Sequence, residues 1–286
     1  MSLTIENNIL MKNGKPFFYL ADTCWSAFTN IKDNDWDYYL DYRKSQGFNT
    51  LQINILPQWD ASATDLCYEP FEVIDGKYNY KKLNLSYFEH ADKMCARAKE
   101  KGFELALVIM WCNFVPDTWA SQFYSKGIMP IDCIDNYINI IHETFTKYEP
   151  LYIISGDTDF NTEQCIEYYV KCAKQIKELA PNCLYTTHIK GRYTYIPDNL
   201  YSYLDLCFYQ SGHNAQNLGM PYLLAEEMAD KYKGKPVINS EPCYEDMGYS
   251  RQMYGRWSKE DIIRAAWMSL LSGSQCWNYL WSGRNL

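Results

Sequence analysis

The sequence predicts an α/β protein of the (β/α)8 barrel class, folded as a single domain over residues 1–286, and three observations carry that expectation. Eight strand-length apolar runs recur along the chain, longer helix-like stretches fall between them, and no glycine-rich phosphate loop follows the first run. Strands that alternate with helices need crossover connections, so the sheet is parallel and covered by helices. Eight such units close most economically into a barrel. A doubly wound open sheet is the competing fold, but the place of its glycine loop is taken by ADTCWSAF at residues 21–28, which has no glycine.

The first expected strand is residues 17–21 (FFYLA), and a helix follows at 33–46, closed by Gly47. The second strand, 48–54 (FNTLQIN), leads to a helix at 84–101 with Asn84 as cap and Gly102 as stop. The third, 103–111 (FELALVIMW), is a continuous apolar run, as a strand buried on both faces should be. Its helix spans 131–148, with Asp132 as cap. The fourth strand, 151–155 (LYIIS), precedes a helix at 161–180, for which Asn161 and Gln164 offer a capping box and Pro181 a stop. Residues 183–188 (CLYTTH) and 204–210 (LDLCFYQ) are the fifth and sixth strands, followed by a helix at 220–233. The seventh is 236–241 (PVINSE), and Pro242, which cannot extend a ladder, should make Glu241 its last residue. A helix at 258–272 leads to the eighth strand, 274–279 (SQCWNY). The few residues that follow leave the last helix short or missing.

Composition restricts the function. Lys and Arg number 27 against 35 Asp and Glu, a formal charge of -8, and no basic stripe is available to engage phosphates. A nucleic-acid partner is therefore not expected. No apolar run is long enough to span a membrane, and the N-terminus lacks the apolar core of a signal peptide. The 11 cysteines are odd in number, scattered and without CxxC spacing, which points to free thiols in a reducing cytoplasm. The 26 Tyr and 9 Trp exceed what a core needs and suit carbohydrate, whose C–H faces stack on rings.

In a barrel of this kind chemistry sits at the C-terminal ends of the strands. Those eight places hold Asp22 and Trp25; Asn54; Trp111 and Asn113; Asp157 and Asp159; His188 and Arg192; Tyr209, Gln210 and His213; Glu241 and Tyr244; and Trp277, Tyr279 and Trp281. Carboxylates in apolar company stand after strands four and seven, on opposite sides of an eight-membered ring. Asp157 and Glu241 thus face each other across the mouth, which is what a retaining glycosidase requires. Asp157 is expected as the acid and base, Glu241 as the nucleophile, and Tyr209 as a hydrogen-bond donor to it. The aromatic residues Trp25, Trp111, Trp277 and Trp281 are candidates for stacking on a sugar ring. Asp22, Asn54, Asn113, His188, Gln210, His213 and Tyr244 are candidates for binding its hydroxyls. No metal or organic cofactor is expected, since the mixed set of His188, His213, Asp157 and Glu241 has no metal-binding spacing. The bland alternatives are that Asp157 and Asp159 only organise their loop and that Glu241 pairs with Arg251 or Arg256. A non-catalytic carbohydrate-binding barrel and a metal-dependent sugar isomerase are the functional rivals.

The segments 14–28 (GKPFFYLADTCWSAF), 45–54 (SQGFNTLQIN), 151–160 (LYIISGDTDF), 209–213 (YQSGH), 238–249 (INSEPCYEDMGY) and 264–273 (RAAWMSLLSG) resemble the apiosidase-like glycoside hydrolases, in order along nearly the whole chain. The resemblance implies a TIM barrel of the clan A type, with Asp157 matching the family's acid and base and Glu241 its nucleophile. It also implies a plant- or glycan-derived oligosaccharide as substrate.

Overall fold

The computed structural model describes residues 3–59, 68–251 and 253–274, and the backbone alone of 276–279. Its centre is an all-parallel sheet of eight strands: β1 (Leu20–Thr23), β2 (Thr50–Asn54), β3 (Glu104–Trp111), β4 (Leu151–Gly156), β5 (Leu184–Thr186), β6 (Cys207–Tyr209), β7 (Val237–Asn239) and β8 (Cys276–Tyr279). The neighbour order runs β5-β4-β3-β2-β1-β8-β7-β6, so each strand pairs with the one next to it in sequence and β8 returns to β1. At the remaining seam the Asp205 N–H, just before β6, donates to the Tyr185 carbonyl of β5 at 2.8 Å. That bond joins the last two strands of the ring, and the (β/α)8 fold stands as expected.

Helices α1 (Asp33–Ser45), α2 (Leu85–Glu100), α3 (Ile134–Phe145), α4 (Glu163–Leu179), α5 (Met220–Lys231) and α6 (Lys259–Leu271) form the outer layer. Between β5 and β6 the crossover keeps only the short helix Asp198–Tyr201. The residues in which a last helix was sought, beyond Tyr279, lie outside those described. Local signals differ in places from the expectation. Helix α4 is capped by Thr162, whose hydroxyl accepts from the Cys165 N–H, and not by Asn161. Asn84 makes no capping bond, because its Oδ1 accepts from the Ser86 hydroxyl, while its Nδ2 donates to the Glu69 carbonyl.

The first strand begins three residues later than its apolar run. Phe17 is held by its N–H to the Leu10 carbonyl, in an antiparallel ribbon of Leu3–Glu6, Ile9–Lys12 and Lys15–Pro16. Two tight turns build that ribbon, with Asn7-Asn8 and Asn13-Gly14 all at positive φ. Lys12 pairs with Glu104 at the N-terminal end of β3, so the ribbon lies against the end of the barrel opposite the mouth. A third such turn, Asp75-Gly76, joins strands Phe71–Ile74 and Lys77–Leu83 into a hairpin beside the β3 loop. There Tyr78 packs on Phe114 and Tyr124 and Tyr80 on Phe114, with Phe71 against both tyrosines. Asparagine and glycine at such turns were readable signals, since each tolerates a left-handed backbone.

The barrel interior carries polar side chains near its mouth. Gln52 accepts from the Tyr19 hydroxyl at 3.0 Å and donates to Thr23 Oγ1 at 3.2 Å and to the Ser240 carbonyl at 3.1 Å. One amide therefore ties β1 and β2 to the end of β7 across the ring. A buried polar group is tolerated when its bonds are made, and a satisfied network of this kind makes the interior rigid.

Candidate active site

Strand β4 ends on Gly156, and a Cβ placed there would lie 2.0 Å from Cε3 of Trp111. The indole of Trp111 thus occupies the space a side chain would need. Asp157 follows with φ of 51°, a left-handed conformation that costs a non-glycine residue and must be held by its surroundings. Three side chains hold it. Trp119 Nε1 donates to its carbonyl at 2.8 Å, its N–H donates to His188 Nδ1 at 3.2 Å, and Gln210 Nε2 donates to its Oδ1 at 2.6 Å. The pairing of β4 with β5 continues past the strands, through a bridge between Thr158 and Ile189.

Strand β7 ends at Asn239, two residues before the expected end. The Ser240 N–H still reaches the Tyr209 carbonyl at 2.8 Å, and the Glu241 carbonyl accepts from the Gly212 N–H at 3.1 Å. Glu241 is therefore carried by the β6 and β7 loops and not by the ladder itself. Its carboxylate is 7% exposed. His213 Nε2 meets Oε1 at 3.1 Å, His188 Nε2 stands 3.0 Å from Oε2, and the Tyr244 hydroxyl donates to Oε1. Burial alone would push this carboxyl up, but the imidazoles of His188 and His213 overcome it and hold Glu241 well below the usual carboxylate range. One imidazole, that of His188, separates Glu241 from the backbone of Asp157.

Around this pair the rings form a floor. Trp25 and Trp111 have centroids 5.1 Å apart, and each packs on His188, at 5.4 and 5.6 Å. His213 and Tyr244 stack at 4.1 Å. Above them opens a cleft of about 500 Å³, whose lining includes Trp119, Asp157, Gln210, His213, Lys190 and Arg251. Lys190 is engaged by Asp159 at 2.9 Å, and Arg192, also on the wall, is taken up by the Asn214 carbonyl.

Of the residues singled out from sequence, the structure brings Asp157, Glu241, His188, Gln210, His213, Tyr244, Trp25 and Trp111 together. Others are placed elsewhere. Asp22 was expected to bind substrate, but its carboxylate points into the helix layer, 2.5 Å from Arg43 Nε and from the Tyr39 hydroxyl of α1. Burial pushes the Asp22 carboxyl up to about 6, against the opposing pull of Arg43. Tyr209 was expected to donate to Glu241; its hydroxyl instead donates to the Pro221 carbonyl of α5 at 3.1 Å. Tyr244 makes the bond sought from Tyr209. Asn54 and Asn113 are buried, and the side-chain amide atoms of both lack a hydrogen-bond partner among the described residues, as does Trp111 Nε1. The side chain of Trp277, and Trp281 altogether, lie outside the described residues.

Trp111 is 5% exposed and belongs to the floor, not to an open wall. The rings at the cleft edge are ones the sequence reading passed over. Trp119 lies in the loop after β3, Trp59 meets it edge-on at 5.4 Å, and Phe123, 60% exposed, lies 5.9 Å from Trp59. Trp119 and Phe123 stand in the aromatic-rich stretch after the third strand and Trp59 in the loop after the second, each well beyond the strand end.

A family model described as "Apiosidase-like, catalytic domain" matches residues 5–279. Among solved structures, a glycoside hydrolase family 5 protein from Bacteroides vulgatus superposes with a TM-score of 0.81 at 25% identity, covering 98% of this chain and 62% of that one. A second, titled only as a glycoside hydrolase, gives 0.80 at 25% identity, with 98% and 65% covered. An endo-1,4-beta-D-mannanase from Thermotoga petrophila, at 15% identity and a TM-score of 0.60, shares the fold, with 93% and 88% covered. The chain thus spans less than two thirds of the length of the first two. A search of the curated proteins finds no match.

Proposed function

The chain belongs to the apiosidase-like catalytic-domain family, and from that premise we propose that it is a retaining glycoside hydrolase in which Glu241 is the nucleophile and Asp157 the general acid and base. The observation that carries the reading is the unequal setting of two carboxyl groups at the cleft, Asp157 in its wall and Glu241 against the His213 of that wall. Glu241 is buried and kept ionised by two imidazoles and a phenol, whereas Asp157 lines the open cleft and takes a neutral amide donor from Gln210. Environments that push two carboxyls apart are how one site runs acid and nucleophilic chemistry together.

In the first step Glu241 attacks the anomeric carbon while Asp157 gives its proton to the departing oxygen. In the second Asp157 takes a proton from water, which attacks the same carbon and releases Glu241. The reaction needs two carboxyl groups and water, and no metal or organic cofactor. Holding Glu241 by loops tied to β6 and β7, and Asp157 by three side chains, restrains both groups as such a displacement demands.

The substrate is an oligosaccharide of plant or glycan origin. Trp119 at the cleft edge offers a ring to a sugar face. The described cysteines are free and, apart from Cys24, buried, which fits work in a reducing compartment. Among the described residues no helix is long and apolar enough to cross a membrane.

The test is a screen of aryl glycosides and plant-wall oligosaccharides, followed by mass spectrometry with the 2-deoxy-2-fluoro analogue of the best substrate. A stable adduct on the peptide containing Glu241 is expected. An adduct on another carboxylate removes the assignment, and binding of sugars without any release of reducing ends favours a non-catalytic carbohydrate-binding barrel.

A further inference from the structure

His188 touches both halves of the site, and its two ring nitrogens do different things. We propose that His188 is a positioning residue that acts as the neutral imidazole with its proton on Nε2, and that its bare Nδ1 holds the backbone of Asp157 in place for the acid and base step. The activity half of this rests on the glycosidase reading; the proton assignment does not.

The geometry decides the tautomer. The Asp157 N–H donates to His188 Nδ1 at 3.2 Å, and a ring nitrogen that accepts a hydrogen bond holds no proton. The proton of the neutral ring is then on Nε2, which stands 3.0 Å from Glu241 Oε2. Turning the ring over would put carbons at both positions and lose both contacts. The ring is fully buried and packed between Trp25 and Trp111, and the Ser155 hydroxyl donates to the His188 carbonyl at 3.1 Å. Its tautomer is set by the hydrogen bond its other nitrogen makes.

Asp157 sits at a left-handed φ and its N–H is held by His188 Nδ1, so removing that acceptor takes away part of the support of the general acid.

Two-bond proton–nitrogen correlation spectra of the nitrogen-15-labelled chain test this directly, since the protein has only 4 histidines. The signals of His188 are identified by their loss in His188→Gln or, if that variant does not fold, by elimination with variants of His90, His142 and His213. At neutral pH they should show Nε2 protonated and Nδ1 bare. A proton on Nδ1, alone or together with one on Nε2, overturns the proposal.

His188→Gln removes the acceptor of the Asp157 N–H. Its kcat/KM should fall about 3- to 10-fold on natural linkages, where Asp157 must give a proton, and less on aryl glycosides with good leaving groups. Equal losses on both substrate types overturn the role given to His188. Absence of turnover by the wild type on every glycoside defeats the hydrolase reading instead, and the spectra alone then decide the tautomer.

Discussion

Gly156 has no room for a side chain because the Trp111 ring fills it, with Cε3 only 2.0 Å from where a Cβ would stand. The contact links the end of β4 to the floor of the cleft and so sets where the next residue, Asp157, emerges. Gly156→Ala should cost at least about 1–3 kcal/mol, the usual toll of overpacking, and should lower kcat more than it raises KM by displacing Asp157. Urea denaturation and steady-state kinetics check this. Wild-type stability in that variant would mean that Trp111 moves aside freely and does not position the loop.

The two carboxylates should separate by role. Glu241→Gln removes the nucleophile and should abolish turnover on every substrate, activated or not. Asp157→Asn should leave the first step on aryl glycosides with good leaving groups nearly intact and slow natural linkages by about 10²- to 10⁴-fold, the usual contribution of a general acid. Azide should rescue Asp157→Asn and not Glu241→Gln, because only the former still forms the covalent intermediate. Equal losses on both substrate types without an azide response would remove Asp157 from the acid and base role.

Tyr244 and Tyr209 offer a paired comparison. Tyr244→Phe deletes a donor to Glu241 and should lower kcat about 10- to 100-fold with the fold unchanged. Tyr209→Phe deletes a bond to the Pro221 carbonyl in the helix layer and should cost about 1 kcal/mol of stability with kcat untouched. Parallel measurement of melting and kinetics separates the two, and the reverse pattern would return Tyr209 to the site.

Asp22 should give the protein a pH dependence of stability unrelated to catalysis. Its folded pKa, about 6, lies above the unfolded value, so the folded state binds the proton more tightly. The cost of ionised Asp22 is fully present above pH about 6 and is relieved as pH falls toward 3.8, the ordinary value of an aspartate carboxyl. A shift of about two units corresponds to about 3 kcal/mol. Relative to Asp22→Asn, the wild type should therefore gain stability as pH falls through that window, measured by chemical denaturation. Asp22→Asn should remove that pH dependence and leave kcat unchanged. A large loss of kcat in well-folded Asp22→Asn would place Asp22 back at the substrate.

The alternation of elements was legible because strand and helix differ in the spacing of apolar residues and in the residues that end them, and both are local properties. β3 is the clearest case, a long apolar run that is buried along its whole length. The N-terminal ribbon and the hairpin at residues 71–83 went unread although Asn-Asn, Asn-Gly and Asp-Gly mark their turns. Their strands are short and mostly polar on one face, so apolar periodicity passed over them. Thr162 in place of Asn161 as the cap of α4 is a shift of one residue, which composition alone does not resolve.

The sequence by itself determined the number and order of the barrel strands and that carboxylates follow the fourth and seventh of them. Only the tertiary structure decided which way side chains turn. Asp22 and Thr23 are adjacent, yet one meets Arg43 in the helix layer and the other meets Gln52 inside the ring, because successive strand residues point to opposite faces and a one-residue error exchanges them. Tyr244, not Tyr209, reaches Glu241 for the related reason that the chain folds back after Pro242 and brings residue 244 over its own strand end. His188 obtains its role from two partners 31 and 53 residues away, whose meeting depends on the register of β4, β5 and β7 around a closed ring and on no pattern within any one of them.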